Sequence, residues 1–116
     1  MERGRWGEAQ AEQFLIGQGL TLLERNARTP YGELDLVMRD AHGLVFVEVK
    51  TRTSREYGLP EEAVTARKAG HLLTSAEWYA QQHPELPAQW RVDVVAVSAL
   101  QGEETVEMEW FENALS

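Results

Sequence analysis

Residues Gly32–Thr51 read GELDLVMRDAHGLVFVEVKT, and this stretch decides the fold of the chain. Two runs rich in Val, Leu and Phe flank the turn-like segment Asp40–Gly43, a pattern typical of a β-hairpin. Charged residues interrupt the apolar pattern at one end of each strand. Side chains two positions apart on a strand share a face, so the charges form two same-face pairs, Glu33 with Asp35 and Glu48 with Lys50.

The loop of the hairpin sets the pairing of its strands. If Ala41 and His42 form a two-residue loop, Asp35 lies opposite Glu48. Glu33 then lies opposite Lys50. A bulge in either strand would instead shift this register by one residue. The charges gather at the open end of one face, and the other face requires a covering helix. That second face is predicted to be continuously apolar, with Leu34, Leu36, Met38, Val45, Val47 and Val49.

Length and composition favour one globular domain spanning residues 1–116. The absence of cysteine excludes disulfides, thiolate nucleophiles and cysteine-based zinc sites. Charged residues near the N-terminus exclude the apolar core of a secretory signal, and no apolar run approaches the roughly 20 residues of a membrane span. We therefore expect a cytoplasmic protein with no membrane association.

The formal charge of −8 opposes a nucleic-acid partner, but the charge is unevenly distributed. Ten of the eleven basic residues precede Ala69 against eleven acids there, whereas the remainder holds Arg91 against eight acids. Several of the early acids belong to the hairpin, where a divalent cation would offset them. The candidate nucleic-acid contacts are Arg28, Arg52, Arg55, Arg67 and Lys68; each of them alone is equally well explained as a solvated surface charge.

The remaining elements are predicted from periodicity and from helix stop signals. A first helix covers about Arg5–Gln18 and ends at Gly19, with Trp6, Ala9 and Phe14 on its apolar stripe, and a first strand covers Leu20–Arg25. A polar loop follows the hairpin over Arg52–Gly58. A second helix runs from near Pro60 to Gln82, before strands Trp90–Ser98 and Thr105–Phe111. The predicted fold class is α/β, with a central mixed five-stranded sheet flanked by helices.

The charged end of the hairpin could hold a metal ion. Magnesium binds hard oxygen ligands, commonly one or two carboxylates with waters, so Asp35, Glu48 and the carbonyl of Val49 are candidate ligands. Lys50 could then orient or deprotonate water during phosphodiester hydrolysis. The alternative is structural: an ion pair of Lys50 with Glu48 or Glu33 on a solvent-facing sheet, which stabilises little.

The motif pattern resembles a known superfamily. Glu8, Gly32-Glu33-Leu34-Asp35 and Glu48-Val49-Lys50 resemble the PD-(D/E)xK restriction-endonuclease-like proteins, similar to the archaeal Holliday-junction resolvases. The chain more closely resembles the bacterial YraN family, through Gly7-Glu8, Asn26-Ala27-Arg28, Gly32–Leu36, Val45–Arg52, Tyr57–Val64, Lys68 and Arg91–Val95. The resemblance implies Asp35 and Glu48 as metal ligands, Lys50 as the catalytic lysine, and Glu8 completing the acidic cluster.

Two functions remain open from the sequence. The first is a Mg²⁺- or Mn²⁺-dependent endonuclease acting on structured or branched DNA, with a homodimer expected because the related resolvases are symmetric dimers. The second is a nuclease-fold module that binds nucleic acid or a protein without cutting. Its support is the acidic second half and an exposed apolar patch expected at Trp110 and Phe111.

Three further sets of residues have no assigned chemistry. Asp93 interrupts an apolar strand and either pairs with Arg28 or Arg91 inside the fold or lies near the site. The histidines lack metal-ligand spacing and are interpreted as surface or turn residues. The aromatic residues of the second half are interpreted as core or interface residues rather than base-stacking platforms; they are Trp78, Tyr79 and Trp90.

Overall fold

The computed structural model describes residues 3–52, 66–99 and 106–115. Two helices and five strands lie in these ranges, and the strands form one sheet. Their bounds are α1 Arg3–Gly17, β1 Thr21–Thr29, β2 Gly32–Arg39, β3 Leu44–Arg52, α2 Ala66–Gln82, β4 Trp90–Ala99 and β5 Val106–Phe111.

The sheet is mixed. Its spatial order is β1-β2-β3-β4-β5, with antiparallel pairing everywhere except between β3 and β4, which are parallel. A parallel pair requires a crossover connection, and α2 lies in that connection. The predicted α/β fold, a mixed five-stranded sheet flanked by helices, is confirmed.

The predicted register of the hairpin is confirmed over its paired length. Leu36 pairs with Val47 and Arg39 with Leu44, with the intervening residues in step. The Asp40 carboxylate accepts hydrogen bonds from the backbone N–H groups of His42 and Gly43, at 2.8 and 3.0 Å. A Cβ at Gly43 would overlap the carbonyl of Gln89, so only glycine fits where this turn meets the start of β4.

Helices cover both faces of the sheet. The α1 face buries Ala11, Leu15, Leu20, Leu36, Met38, Val45, Val47, Val95 and Val97. The α2 face buries Ala27, Leu34, Val37, Leu44, Phe46, Ala76, Tyr79 and Val92. The predicted apolar face of the hairpin is therefore correct except for Leu34, which packs in the α2 cluster. The α1 stripe also differs, because Ala9 is exposed while Ala11 and Leu15 are buried.

An irregularity in β1 explains the misplaced Leu34. Asn26 has a left-handed backbone, with φ of 50°, and the strand pairs pass from Arg25–Leu36 directly to Ala27–Leu34. Arg25 contacts Glu12 of α1 whereas Ala27 packs in the α2 cluster, so the alternation of faces is interrupted at Asn26. The register does not shift there; its shift lies between Leu22 and Glu24. The strand itself continues to Thr29, beyond the predicted end at Arg25, so the residues expected in a polar loop belong to an edge strand.

The second half agrees with its predicted elements wherever it is described. Helix α2 ends at Gln82 as predicted, whereas its predicted start near Pro60 and most of the Arg52–Gly58 loop lie outside the described residues. Strand β5 lies at the sheet edge, as expected. In the ranges that the structure describes, no helix is both long and apolar enough to cross a membrane.

Asp93 is a structural residue of β4 rather than part of a site. It is fully buried, and its carboxylate accepts hydrogen bonds from Arg91 Nε at 3.0 Å, Trp110 Nε1 at 2.9 Å and the Asn113 backbone at 2.8 Å. The prediction that it pairs with Arg91 is correct. The predicted exposed patch at Trp110 and Phe111 is wrong, because both residues are only partly exposed and Trp110 packs against the α1 cluster.

Candidate active site

The site begins where β2 and β3 stop pairing. The last backbone pair of the hairpin is Leu36–Val47, and beyond it the Asp35 carboxylate accepts a hydrogen bond from the Val49 N–H at 2.9 Å. Strand β3 remains paired with β4 through Arg52, so its backbone is fixed on the other side. Asp35 therefore reaches a rigid strand at the residue next to Glu48.

Glu48 is buried and receives two ammonium groups on one oxygen. Lys50 Nζ lies 3.2 Å and Lys68 Nζ 3.1 Å from Glu48 Oε1. Lys50 shares the strand face of Glu48, as predicted, while Lys68 reaches the same atom from α2. The ion pair between Glu48 and Lys50 that the structural alternative requires is thus present.

Glu8 reaches the site from α1 through Asn26. The Asn26 side-chain amide donates to Glu8 Oε1 at 2.8 Å and to Glu33 Oε1 at 3.1 Å. A Cβ at Gly7 would overlap the Thr51 hydroxyl, so glycine is needed for α1 to approach β3 at this point. The pair Gly7-Glu8 therefore combines a close helix–strand contact with an acid next to the sheet end.

Asp35 has a strongly raised pKa in this site. Burial of the carboxyl group and the negative charge of Glu48 raise the pKa of Asp35 to about 7, with a smaller contribution from Glu8. The hydrogen bond from the Val49 N–H and the charge of Lys50 act in the opposite direction. Burial is the largest of these effects, so the charge of Asp35 is only partly compensated by the Val49 N–H and Lys50.

The two lysines differ in their pKa values. Burial lowers the pKa of Lys50, and the contact with Lys68 lowers it further against the opposing effect of Glu48. Burial also acts to lower the pKa of Lys68, but the hydrogen bond with Lys50 and the charge of Glu48 outweigh it and raise this pKa. Of the two, Lys50 has the lowered pKa and Lys68 the raised one.

An open cavity of about 300 Å³ adjoins the carboxylates. Two of its lining residues were not predicted to lie at the site: Tyr31, in the turn between β1 and β2, and His71, which was interpreted as a surface residue. The positions of Tyr31 and His71 at the cavity depend on how α2 packs against the hairpin, and the sequence pattern does not predict that packing. The lining consists of Tyr31, Gly32, Glu33, Asp35, Glu48, Lys68, His71, Leu72 and Ser75.

The candidate nucleic-acid contacts lie at different distances from this cavity. Lys68 lines it directly. Arg28 is exposed and lines a neighbouring cavity of about 370 Å³ together with Arg5 and Glu8. Arg67 is exposed at the start of α2, and Arg52 is partly exposed at the end of β3. Arg55 lies outside the described residues.

The oxygen donors of the site suit a hydrated divalent metal ion. Two carboxylates converge beside an open cavity, and Mg²⁺ needs only one or two carboxylates because it retains several waters. In the described part of the chain, no group of three or more His, Asp or Glu side chains is close enough to form a complete protein cage. The residues therefore fit a water-rich Mg²⁺ or Mn²⁺ site rather than a structural metal site.

The fold and the site define an α/β domain with a carboxylate–lysine centre at the open end of a sheet hairpin. A family model, Uncharacterised protein family UPF0102, matches residues 7–97. The chain belongs to this family, which is the YraN family that the hairpin motif resembles. The match spans α1 to β4 and so includes the described site residues.

Relatives of similar length occur in several bacteria. A UPF0102 protein of Dehalococcoides mccartyi is 43% identical over 114 residues, covering 98% of this chain and 93% of the relative. A UPF0102 protein of Syntrophotalea carbinolica is 47% identical, covering 90% and 85%. One from Clavibacter michiganensis is 52% identical, covering 81% and 80%. None of these names states an activity.

Two solved structures show distant similarity. An EndoMS–dsDNA complex matches with a TM-score of 0.39 and 16% identity, covering 88% of this chain and 39% of EndoMS. Pyrococcus furiosus SfsA in complex with Ca²⁺ matches with a TM-score of 0.39 and 17% identity, covering 95% of this chain and 62% of SfsA.

Proposed function

We propose that the protein is a metal-dependent endonuclease that hydrolyses phosphodiesters in structured or branched DNA. The observation that carries this proposal is the convergence of Asp35 and Glu48 beside Lys50, at the point where β2 and β3 separate. Surface ion pairs rarely bury a carboxylate and raise the pKa of its neighbour, whereas active sites commonly do. The resemblance to the Holliday-junction resolvases supplies the substrate class.

Asp35 and Glu48 are the proposed ligands of one Mg²⁺ or Mn²⁺, with the Val49 carbonyl as a further oxygen donor. Glu8 would contact a water on the ion rather than the ion itself, because the three carboxylates do not form one ligand group in the described residues. A divalent cation at Asp35 and Glu48 would stabilise both groups as carboxylates, whereas without it burial and the charge of Glu48 favour the protonated form of Asp35. When bound, the cation would polarise a phosphoryl oxygen and lower the pKa of a water. Asn26 would keep the Glu8 carboxylate directed toward the sheet through its 2.8 Å hydrogen bond.

The two lysines have different proposed roles. Lys50, whose pKa is lowered by burial, is suited to orient the attacking water and accept its proton. Lys68, which keeps its charge and lines the cavity, is suited to contact a non-bridging phosphate oxygen. Three arginines that do not line the cavity would contact the DNA backbone, namely Arg28, Arg52 and Arg67. Arg55, outside the described residues, stays a candidate contact from the sequence.

One observation favours the second candidate, a module that binds nucleic acid or a protein without cutting. The ammonium groups of Lys50 and Lys68 lie 3.2 and 3.1 Å from Glu48 Oε1, so they neutralise this carboxylate without a metal ion. A site balanced in this way could persist for its contribution to folding or binding alone. The apolar patch expected at Trp110 and Phe111 does not support this candidate, because both residues are only partly exposed.

The decisive test is cleavage of labelled single-stranded, duplex, flap and four-way-junction DNA at low salt with Mg²⁺ or Mn²⁺. We expect cleavage by the wild type, and a loss of at least about 100-fold in Asp35→Asn and Lys50→Ala. Arg39→Ala is the matched control, because Arg39 is exposed at the opposite end of β2. Binding without cleavage of any substrate would favour the non-catalytic module.

Metal binding has a separate readout that does not require activity. A cation that binds only the folded protein raises its melting temperature by mass action. Millimolar Mg²⁺ or Mn²⁺ should therefore raise the melting temperature of the wild type but not that of a Asp35→Asn, Glu48→Gln double variant. Equal shifts in the two proteins would argue against a site at these carboxylates.

A further inference from the structure

We propose that Tyr31 is a substrate-binding residue, whose ring stacks on an unpaired nucleobase next to the phosphate held at Asp35 and Glu48. This inference rests on the proposed function and adds the substrate class, DNA with an unpaired base at the cleavage position.

The first observation is the exposure of Tyr31 at the cavity. The residue is 50% exposed, which exceeds the values for the other exposed large apolar residues of the described ranges, namely Ile16, Leu23 and Val106. Tyr31 lines the same cavity as Asp35, Glu48 and Lys68. A single exposed aromatic residue is ordinary on a protein surface, so the informative point is the place of Tyr31 at this cavity, where its ring is available to a ligand.

The second observation is that the turn carrying Tyr31 is fixed. The Thr29 hydroxyl accepts a hydrogen bond from the Tyr31 N–H at 3.1 Å and donates to the Gly32 carbonyl at 2.7 Å. It also lies 3.0 Å from the Ser75 hydroxyl of α2. Gly32 has φ of 146°, in the region that favours glycine. The turn is therefore tied to α2, so the Tyr31 backbone is held in place before any ligand binds.

The third observation is the combination of groups around the cavity. Binding sites for single-stranded nucleic acid combine cations that contact the backbone with aromatic rings that stack on bases. Lys68 supplies the cation and Tyr31 the ring, both at one cavity. Its volume of about 300 Å³ is at the lower end of the roughly 300–1,000 Å³ typical of ligand sites.

The chemistry of stacking determines which DNA can use Tyr31. Both faces of a base in a continuous duplex are covered by its neighbours, so an external ring can stack only on an unpaired or displaced base. Branch points, flaps and single strands provide such bases without the cost of unpairing. The structure therefore favours these substrates over intact duplex.

The test measures binding in a Lys50→Ala background, with Mg²⁺ present, to an oligonucleotide whose unpaired tract carries 2-aminopurine. Adding Tyr31→Ala should weaken binding by about 5- to 100-fold and abolish the quenching that stacking causes. Tyr31→Phe should retain both signals, because the ring and not the hydroxyl is required. Ile16→Ala is the matched control, as another exposed apolar residue, at 43%, that does not line the cavity.

Two outcomes would overturn the inference, and they differ from a failure of the proposed function. Equal binding by the Tyr31→Ala and parent proteins would exclude stacking at Tyr31 while leaving the nuclease proposal intact. A loss in Tyr31→Phe as large as in Tyr31→Ala would assign the effect to the hydroxyl. If the parent protein binds none of the oligonucleotides, both proposals are wrong.

Discussion

Asp35, a proposed metal ligand, is costly to folding when it is ionised. Its carboxyl group is partly buried beside Glu48, and its main compensation is one hydrogen bond from the Val49 N–H. Because its pKa is raised to about 7 in the folded protein, against the ordinary 3.8, the folded state binds the proton more tightly than the unfolded state does. Ionisation of Asp35 therefore lowers stability as the pH rises between these two values.

We expect Asp35→Asn to stabilise the metal-free protein at alkaline pH. The asparagine oxygen can still accept from the Val49 N–H, but it carries no charge beside Glu48. At pH 8 in EDTA, the variant should be more stable by on the order of 1–3 kcal/mol. The difference should vanish below about pH 4, where the wild-type carboxyl group is protonated in both states. Urea denaturation across this pH range measures it.

Asp40 provides a control, because its pKa is shifted in the opposite direction to that of Asp35. Burial disfavours its charged form, but hydrogen bonds from the His42 and Gly43 backbones and the charge of Arg91 outweigh burial and lower the pKa of Asp40. Asp40→Asn should therefore lower stability at pH 7 relative to pH 3. If both variants shift stability in the same direction, the raised pKa of Asp35 is not the cause of its effect.

At the level of elements, the irregularity at Asn26 connects β1 to the site. We expect Asn26→Ala to cost about 1–2 kcal/mol more in unfolding free energy than Asn26→Gly, because alanine disfavours the left-handed backbone at φ of 50°. Both variants lose the hydrogen bond to Glu8, so both should reduce cleavage similarly. Urea denaturation and cleavage rates separate the two effects. Equal stabilities would contradict the backbone argument.

The predictability of the elements follows the range of the interactions that form them. The hairpin register was predicted over Leu36–Leu44 because a tight turn and local alternation specify it. The end of α2 was predicted because prolines follow it. In contrast, β1 was predicted too short, since an exposed edge strand has the composition of a loop, and Leu34 was misplaced because nothing local marks the left-handed Asn26.

The candidate site was predicted in part for the same reason. Asp35, Glu48 and Lys50 lie on two adjacent strands, so strand periodicity alone brought them together. Lys68 was predicted to contact nucleic acid, but its contact with Glu48 requires the packing of α2 on the sheet. Tyr31 gave no local signal, because its position depends on the hydrogen bond network of Thr29 with Ser75.

At the scale of the whole molecule, the charge distribution must be reconciled with DNA binding. The formal charge is −8, yet ten of eleven basic residues precede Ala69. DNA binding by such a protein depends on local contacts and on a bound cation, not on the overall field. The homodimer implied by the resolvase resemblance stays a prediction, and a two-fold arrangement would double the number of basic contacts.

The salt dependence of binding tests this local model. With the roughly five phosphate contacts proposed above, the logarithm of the association constant for DNA should fall with the logarithm of salt concentration with a slope of about −4 to −5. Replacing two exposed contacts, Arg28→Gln with Arg67→Gln, should reduce the magnitude of the slope by about 2. The acid control, Glu77→Gln with Glu109→Gln, removes as many charges from exposed positions of α2 and β5. This control should raise the affinity for DNA at low salt without changing the slope, because Glu77 and Glu109 contact no phosphate. Equal changes of slope in both double variants would mean that net charge controls binding, and not a defined set of contacts.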